Sequence, residues 1–279
     1  MTKPQRIDPL GLIFFAHNCN ILQFTTQKIR VLSMDRFFGG AALTKIYCGD
    51  CTRIMADLDP DSIGAVITDP PYASGGTKAS DRWKGTSGKY TKAKHAEYAK
   101  HDFDGDSMDQ RCWMNWTVDW MRAAKRVAKD GAPFVVFIDW RQLPALTDCF
   151  QRAGLVWRGV AAWDKLNGRP QRGRFRQQTE YIVWGSKGNM PLARNAPILP
   201  GAFRCASPAA SVRVHQTEKP LDLMRQLVHI CEPGETILDP FAGSGTTLLA
   251  AEQEGYDAVG VEMNEYYADR ARERLNITA

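Results

Sequence analysis

The 279-residue chain lacks several features that would place it in other classes of protein. It has no apolar run long enough to span a membrane. Of its seven cysteines only Cys48 and Cys51 form a close pair, and without a second pair of ligands a zinc site is not expected. Scattered cysteines in odd number are typical of reduced packing residues rather than of a disulfide framework. We therefore expect a cytoplasmic protein without a metal.

Neither sign of charge dominates the composition. Lysine and arginine number 36 against 31 acidic residues, which gives a formal net charge of +5. This modest excess is compatible with an anionic partner but does not require one. With 44% hydrophobic residues the chain can bury a substantial core, and its length allows one large α/β domain or two small ones.

The first 33 residues lack a regular hydrophobic pattern. Their apolar stretch, Leu10–Ala16, follows two basic residues but is interrupted by Gly11 and precedes no small-residue cleavage site. This pattern favours a peripheral appendage over an export signal. We expect an appendage over residues 1–33, with Met34 as an alternative start, and a main domain over residues 34–279.

One predicted strand ends in an unusual cluster of residues. The apolar run Ile63–Ile67 indicates a buried parallel strand, and Asp69, Pro70, Pro71 and Tyr72 follow it. In open α/β sheets ligands bind beyond the carboxyl ends of the strands. Proline fixes φ and has no N–H, so the main-chain carbonyls are free to accept hydrogen bonds. The tetrad therefore places a carboxylate, carbonyls and an aromatic ring where chemistry is expected.

Two segments carry an excess of basic residues. Residues 73–112 interrupt the pattern with seven basic residues against two acids between positions 78 and 100, interleaved with aromatics. Residues 165–178 hold five basic residues and no acid, between two strands that predict a hairpin at a sheet edge. Either segment is a solvated loop or a nucleic-acid contact, and lysine and arginine favour the second reading. The candidate contacts are Lys78, Arg82, Lys84, Lys89, Arg169, Arg172, Arg174 and Arg176.

A glycine-rich turn between a strand and a helix indicates a nucleoside site. A phosphate-binding loop needs lysine after its second glycine, where Thr246 stands, and a dinucleotide fingerprint needs a third glycine, where Leu248 stands. What remains is Gly243-x-Gly245, with Glu262 about 20 residues further on to accept hydrogen bonds from ribose hydroxyls. This pattern predicts an adenosine-bearing ligand without a pyrophosphate.

Three motifs together resemble one family of enzymes. Asp69–Tyr72, His215–Pro220 and Asp239–Thr246 are similar to motifs of the DNA amino-methyltransferases that use S-adenosylmethionine. The order, with the catalytic motif first and the cofactor motif last, resembles the beta subgroup of N6-adenine and N4-cytosine enzymes. The likeness covers roughly residues 42–275 of the chain.

The resemblance implies a fold: a circularly permuted, Rossmann-like, doubly wound α/β sheet of the class I methyltransferase type, mostly parallel with an antiparallel edge strand. Only one helix follows Glu262, so the strand ending at Gly49 is needed to complete the sheet. Gln216 and Glu218 stand where the family often has proline and glutamine. The family's usual target-recognition region is short here, which leaves residues 164–214 as the candidate region.

The resemblance also implies a role for each catalytic residue. Asp69 and the Pro70 carbonyl would accept the two hydrogens of the exocyclic amine of a base, which makes its nitrogen more nucleophilic. Tyr72, beyond Pro71, would stack on a base flipped out of the duplex, because the amine is unreachable inside it.

For the cofactor, the turn would face the methionine part, Glu262 the ribose, Asp50 the adenine amine, and Thr217 and Lys219 the methionine carboxylate. For Asp50 and Lys219 the alternative is a helix cap or a surface ion pair. The implied cofactor-binding residues are Asp50, Cys51, Asp69, Thr217, Lys219, Asp239, Pro240, Phe241, Ala242, Gly243, Ser244, Gly245, Thr246, Glu262 and Met263.

These residues predict a site-specific DNA methyltransferase that acts on adenine N6. Aspartate at the start of the tetrad favours adenine, whereas serine would favour cytosine N4, which stays as the alternative. Cytosine C5 chemistry needs a thiol after a proline, and no cysteine in the sequence follows one. A DNA-binding regulator without turnover and an oxidoreductase on the same fold are the rival functions. We expect double-stranded DNA as partner, a homodimer associated with a bacterial or phage nucleoid, and leave a partner restriction nuclease open.

Overall fold

The computed structural model describes residues 42–74, 108–166, 170–207 and 218–277. Several predictions therefore fall outside the described residues. These are the appendage over residues 1–33, most of the basic segment 73–112 and the site residues Lys78, Arg82, Lys84, Lys89, Arg169, His215, Gln216 and Thr217. No helix in the described ranges is both long enough and apolar enough to cross a membrane.

The described residues form eight strands and six helices. The strands are β1 (Thr44–Cys48), β2 (Ala65–Thr68), β3 (Pro133–Ile138), β4 (Val156–Asp164), β5 (Thr179–Ser186), β6 (Ala202–Arg204), β7 (Thr236–Asp239) and β8 (Asp257–Glu262). The helices are α1 (Cys51–Asp57), α2 (Gln110–Val127), α3 (Leu143–Arg152), α4 (Leu221–Val228), α5 (Thr246–Gln253) and α6 (Glu265–Arg274).

All eight strands belong to one sheet, in the order β1-β8-β7-β2-β3-β5-β4-β6. Every strand runs in the same direction except β5, which is antiparallel to both of its neighbours. The predicted mostly parallel α/β sheet is confirmed, and so is the hairpin of β4 and β5 near one edge. The three residues of β6 lie outside that hairpin and form the edge itself.

The permuted order of the chain is visible at the other edge. Strand β1 pairs in parallel with β8, with Thr44 opposite Ala258 and Cys48 opposite Glu262. Strand β7 lies between β8 and β2, so the last strands of the sequence sit inside the sheet. The prediction that the strand before Gly49 completes the sheet beside the last strand is confirmed.

Helices cover both faces of the sheet because the central strands are apolar on both sides. In β2, Val66 faces one buried cluster, whereas Ala65 and Ile67 face the other. The first cluster contains side chains of α1, α2 and α3, and the second contains side chains of α4, α5 and α6. This doubly wound arrangement leaves the carboxyl ends of the parallel strands clear of the helices, where a site can form.

Helix α2 shows how the local sequence sets one of these layers. Asp109 precedes it as N-cap and accepts hydrogen bonds from the backbone N–H groups of Arg111 and Cys112, at 2.9 and 3.0 Å. Trp113 and Trp120, at helical spacing, are fully buried. The tryptophans therefore belong mainly to the core, although the Trp113 indole N–H donates to the Pro71 carbonyl and the Trp120 ring packs against Phe241.

Candidate active site

The tetrad and the glycine-rich turn follow neighbouring strands. Ala65 and Val66 of β2 pair with Ile237 and Leu238 of β7, so both strands end at the same place. The Thr68 hydroxyl donates to Asp239 Oδ1 at 2.6 Å, across 171 positions of sequence. The structure thus brings together the two motifs on which the predicted site depends.

Asp69 lies in a cluster of four other polar side chains. Its Oδ1 accepts the hydroxyl of Tyr72 at 2.6 Å, and its Oδ2 accepts the ammonium of Lys219 at 2.5 Å. Lys219 Nζ also lies 3.4 Å from Glu180 Oε2 and 3.2 Å from the Tyr72 hydroxyl. Glu180 Oε1 accepts Lys165 Nζ at 2.9 Å. The cluster is therefore a row of alternating charges, Asp69, Lys219, Glu180 and Lys165, and the first three of them contact the Tyr72 hydroxyl.

Burial and these neighbours set the protonation of the cluster. Burial raises the pKa of Asp69, and the Lys219 ammonium opposes that rise. Burial alone would lower the pKa of Lys219, but the carboxylates of Asp69 and Glu180 raise it above its ordinary value. Burial and the same two carboxylates raise the pKa of Tyr72 well above its ordinary value. Lys219 therefore stays charged and Tyr72 stays neutral, as a hydrogen-bond donor to Asp69.

A hydrogen bond from helix α2 fixes the backbone of the tetrad. The Trp113 indole N–H donates to the Pro71 carbonyl at 2.8 Å, so this prolyl carbonyl is engaged by the protein itself. Pro70 is buried, and the next residue after Tyr72, Ala73, is buried with φ at +48°. A left-handed alanine is strained and persists only where its surroundings hold it. The loop thus presents Asp69 in one orientation.

The glycine-rich turn connects β7 to α5. Gly243 and Gly245 have φ of +52° and +80°, which favours glycine. A Cβ at Gly245 would also lie 3.0 Å from the Cβ of Ala271. The Asp239 carboxylate accepts the Phe241 N–H at 3.0 Å, and burial raises its pKa to about 6. Asp239, predicted to bind the cofactor, thus lies buried under the turn and shapes it.

Glu262 ties the same turn to the end of β8. Its Oε2 accepts the Gly243 N–H at 2.9 Å and its Oε1 accepts the Asn264 N–H at 2.8 Å. Burial raises its pKa. The neighbouring Met263 is half exposed at this edge of the sheet. Glu262 therefore stands where the sequence places it, one strand from the turn, with both oxygens already bonded to backbone.

Asp50 and Cys51 begin α1, beside the end of β8. Asp50 is the N-cap of that helix, since its Oδ1 accepts the N–H groups of Thr52 and Arg53 at 2.9 and 3.1 Å. A hydrogen bond from the Thr52 side chain lowers the pKa of Asp50. Burial raises the pKa of Cys51 to about 12, so its thiol stays protonated. The capping alternative foreseen for Asp50 is observed, at the edge that also holds Glu262.

The segment before α4 separates two neighbouring side chains. Lys219, predicted to lie near a methionine carboxylate, extends to Asp69 and Glu180. Glu218 accepts the guanidinium of Arg274 at 2.8 Å and the hydroxyl of Thr246 at 3.3 Å. The two side chains therefore bind this segment to the tetrad on one side and to the start of α5 on the other.

The remaining predicted residues fall into two groups. Pro240, Ala242 and Ser244 are buried within the turn, and Phe241 is partly buried against the rings of α2. Arg172, Arg174 and Arg176 are exposed on the loop between β4 and β5, away from the cofactor-side residues but at the same carboxyl edge.

Glu180 and Lys165 were not predicted as site residues. They lie at the two ends of the basic loop: Glu180 faces Trp163 in the hairpin, and Lys165 directly follows β4. The pairing of β4 with β5 brings their side chains within 2.9 Å. The sequence offered one signal, that Glu180 is an isolated acid just after a basic loop. Its contact with Lys219, however, depends on the antiparallel direction of β5.

Comparison with known proteins identifies the family. The family model described as DNA methylase, for N6 and N4 enzymes, matches residues 63–273. YubD of Escherichia coli (strain K12), a protein named as a methylase, is 26% identical over 242 residues, covering 84% of this chain and 90% of its own.

Two solved structures share the fold. The complex of M1.HpyAVI with S-adenosylmethionine superposes with a TM-score of 0.59 at 24% identity, covering 84% of this chain and all of that one. The cytosine-N4-specific PvuII DNA methyltransferase gives 0.64 at 18% identity, covering 84% and 86%. The predicted class I methyltransferase fold and the resemblance stated from the motifs are thereby confirmed. The chain belongs to the N6/N4 DNA methylase family.

Proposed function

We propose that this protein transfers a methyl group from S-adenosylmethionine to N6 of adenine in duplex DNA, with cytosine N4 as the alternative acceptor. The observation that carries the proposal is the Thr68–Asp239 hydrogen bond, which joins the strand before Asp69 to the strand before the glycine-rich turn. Asp69, which would bind the target amine, thus follows the strand next to the one that leads into the turn proposed to bind the methyl donor.

The residues that follow β7 and β8 are suited to bind S-adenosylmethionine. The turn has two left-handed glycines without side chains, which lets a ligand approach the backbone closely. In the proposal, Glu262 at the end of β8 accepts hydrogen bonds from ribose hydroxyls, and Asp50, just after the adjoining strand β1, accepts one from an adenine amine. When bound, S-adenosylmethionine supplies a sulfonium methyl group that is already activated. No covalent nucleophile is then needed from the protein.

The chemistry left to the protein is to prepare the acceptor nitrogen. The lone pair of an exocyclic amine is delocalised into the base. In the proposed reaction Asp69 and the Pro70 carbonyl accept the two amine hydrogens, which localises that lone pair on nitrogen. The Tyr72 hydroxyl and Lys219, which occupy both Asp69 oxygens in this structure, must yield at least one of them to the incoming amine.

Lys219 has two uses in this scheme. It pairs with Asp69 and opposes the rise in pKa that burial causes there, which favours the ionised carboxylate that accepts hydrogen bonds. Its side chain is only 8% exposed and its Nζ lies 5.4 Å from the centre of the Tyr72 ring, so Lys219 also packs against that ring. The second carboxylate, Glu180, keeps Lys219 from binding Asp69 alone.

The preference for adenine rests on the first residue of the tetrad. Asp69 stands where serine would favour cytosine N4. The PvuII enzyme, whose fold is shared, is cytosine-N4-specific, so the fold by itself leaves both acceptors open. Mass spectrometry of nucleosides from methylated DNA separates N6-methyladenine from N4-methylcytosine, and the second product alone would replace the adenine proposal.

Transfer of labelled methyl groups to unmethylated genomic DNA tests the activity. We expect Asp69→Asn to lower the rate by about 100-fold or more, because it removes an acceptor that acts on the reacting nitrogen. The matched control is Asp61→Asn. Asp61 also pairs with a lysine, Lys187 at 2.6 Å, but precedes β2 instead of following it. Equal rates for Asp69→Asn and the wild type would dispose of the mechanism.

The proposed partners are double-stranded DNA and a second copy of the chain. For DNA, the exposed arginines of the loop between β4 and β5 supply positive charge at the edge where Asp69 lies. The homodimer rests on the family resemblance alone. Light scattering at about micromolar concentration decides it, and a monomer with full activity would remove it.

A further inference from the structure

Phe175 is unusually placed for an apolar side chain. Its ring is fully exposed, at 101% of the reference surface, on the loop between β4 and β5. Arg174 and Arg176 flank it and Arg172 lies three positions before it, all of them exposed. Phenylalanine is normally found inside proteins, so a bare ring among three cations invites a functional explanation.

The feet of this loop are held by hydrogen bonds. Asp164 Oδ1 accepts the Leu166 N–H and the Gln178 side-chain amide, both at 2.9 Å. The Lys165 N–H donates to the Gln178 carbonyl at 2.8 Å, and the Gln178 N–H donates to the Arg176 carbonyl at 3.0 Å. The tip that carries Phe175 therefore projects from a closed base.

The same base belongs to the active-site cluster. Lys165 and Glu180, at the two feet of the loop, pair at 2.9 Å, and Glu180 reaches Lys219 and the Tyr72 hydroxyl. Phe175 thus stands on a support that is connected through two side chains to Asp69. Because β2 and β4 run in the same direction, the loop and Asp69 lie on the same side of the sheet, where a duplex would deliver its target base.

Resting on the proposed function, we infer that Phe175 is a wedge that enters the DNA base stack beside the flipped-out target. The three arginines hold phosphates on either side of the ring. Burial of the ring between bases offsets the loss of stacking that flipping causes, and apolar side chains are used in this way by proteins that kink or unstack DNA. Phe175 is then a positioning residue, since it stabilises the open duplex without touching the reacting atoms.

Two other fully exposed apolar residues provide a matched control. Leu192 and Ile198 are exposed to 106% and 101% on the segment between β5 and β6. The arginine of that segment, Arg194, is engaged by Glu232 at 2.7 Å and by the Ile230 carbonyl at 2.6 Å. An exposed apolar side chain without free arginines beside it is thus available on the same molecule.

The test compares Phe175→Ala with Ile198→Ala on two duplexes. One carries the sequence found methylated in DNA of an expressing host, and the other has a mismatched base opposite the target, which makes flipping easier. We expect Phe175→Ala to methylate the matched duplex about tenfold or more slowly and the mismatched duplex at nearly the wild-type rate. Phe175→Leu should retain much of the rate, and Ile198→Ala should leave the ratio of the rates on the two duplexes as it is in the wild type.

A second measurement separates the wedge from a charge effect. The fluorescence of 2-aminopurine at the target position reports flipping, and Phe175→Ala should lower it while the salt dependence of DNA binding stays as in the wild type. Equal loss on both duplexes, or no loss on either, would overturn the wedge. A wild type that methylates neither duplex would instead sink the proposed function itself, whatever Phe175 does to the fluorescence.

Discussion

Lys219 joins two carboxylates, Asp69 and Glu180, that would otherwise repel each other. Its Nζ lies 2.5 Å from Asp69 and 3.4 Å from Glu180, and its side chain is only 8% exposed. A buried charge is tolerated when it is paired, and removal of one partner leaves the others uncompensated. The protonation of Asp69 is therefore a property of the whole cluster.

Glu180→Gln tests this coupling through the pH dependence of the rate. In the proposed mechanism Asp69 acts only when ionised, so we expect activity to fall as the pH drops through its pKa. The negative charge of Glu180 helps to raise that pKa. Its removal should lower the pKa of Asp69 and move the acidic limb of the single-turnover profile to lower pH.

Glu235→Gln is the control for that shift. Glu235 is likewise a carboxylate paired with a lysine, Lys129, but it precedes β7 and therefore lies at the amino ends of the strands, away from Asp69. Its profile should coincide with that of the wild type. If the acidic limb of Glu180→Gln stays in place, Glu180 does not tune Asp69.

Asp239 predicts a second pH effect, on stability. Burial raises its pKa to about 6 from an ordinary value near 3.8. An acid with a raised folded-state pKa stabilises the fold below its ordinary pKa, and this contribution is lost as the pH rises through about 6. Relative to Asp239→Asn, the wild type should gain up to roughly 3 kcal/mol in free energy of unfolding as the pH falls from about 7.5 to 4.

Urea denaturation of both proteins across that range measures the difference. Asparagine keeps an oxygen to accept the Thr68 hydroxyl, so the variant is expected to fold. A difference between the two proteins that is independent of pH would contradict the assignment. If cofactor binding also survives the change, Asp239 acts by shaping the turn and not by touching the ligand.

Single residues also show how far sequence reasoning reaches. Asp69 and Glu262 were placed correctly at strand ends because the carboxyl ends of parallel strands meet at one edge of a sheet. Asp50 was placed there too, but whether it caps a helix or binds a ligand depends on rotamers that no pattern encodes. Glu180 was not predicted as a site residue because its partners, Lys165 and Lys219, are 15 and 39 positions away in the sequence.

Among the elements, the loop between β4 and β5 carries the predicted DNA contact. Changing Arg172, Arg174 and Arg176 together to glutamine should weaken DNA binding and reduce the slope of log K against log salt by up to about 3, because up to three phosphate contacts are lost. Cofactor affinity should be unchanged. Binding titrations at several salt concentrations provide the measurement.

Three exposed arginines on helices serve as the control for that loop. Arg122, Arg152 and Arg225 lie on α2, α3 and α4, so their combined change to glutamine removes the same charge from another surface. A purely global electrostatic effect would weaken binding equally in both triple variants, and the loop would then lose its special role.

The helices and strands themselves were predictable to different degrees. Strand β3 is buried and apolar throughout, which is typical of the central strands of such a sheet. Strand β7 is equally buried, but only its two middle residues, Ile237 and Leu238, are apolar. Strand β6 was missed because it has three residues, of which only Phe203 is buried, and it forms only by pairing with β4. Short edge strands of this kind depend on the neighbour and leave little periodicity to detect.

At the scale of the whole molecule, β1 limits how much of the amino terminus can be removed. We expect a protein that starts at Met34 to keep its thermal stability and its affinity for S-adenosylmethionine, because β1 and all of its contacts with β8 are retained. Deletion through Cys48 should abolish cooperative unfolding, since it removes one of the two parallel partners of β8 and leaves that buried strand at the edge of the sheet. Calorimetry of both truncated proteins measures their thermal stability. Loss of stability in the protein that starts at Met34 would show that residues 1–33 belong to the domain.

The place of β7 has a consequence for synthesis on the ribosome. Strands β2 and β7 are neighbours, yet Thr68 and Asp239 are 171 positions apart, so β2 emerges long before its partner. At bacterial elongation rates the delay is about 10–30 s, during which an apolar strand edge waits without its neighbour. We expect nascent chains that are stalled before β7 to be bound by chaperones and sensitive to protease, and to become resistant only after the last strand has left the exit tunnel.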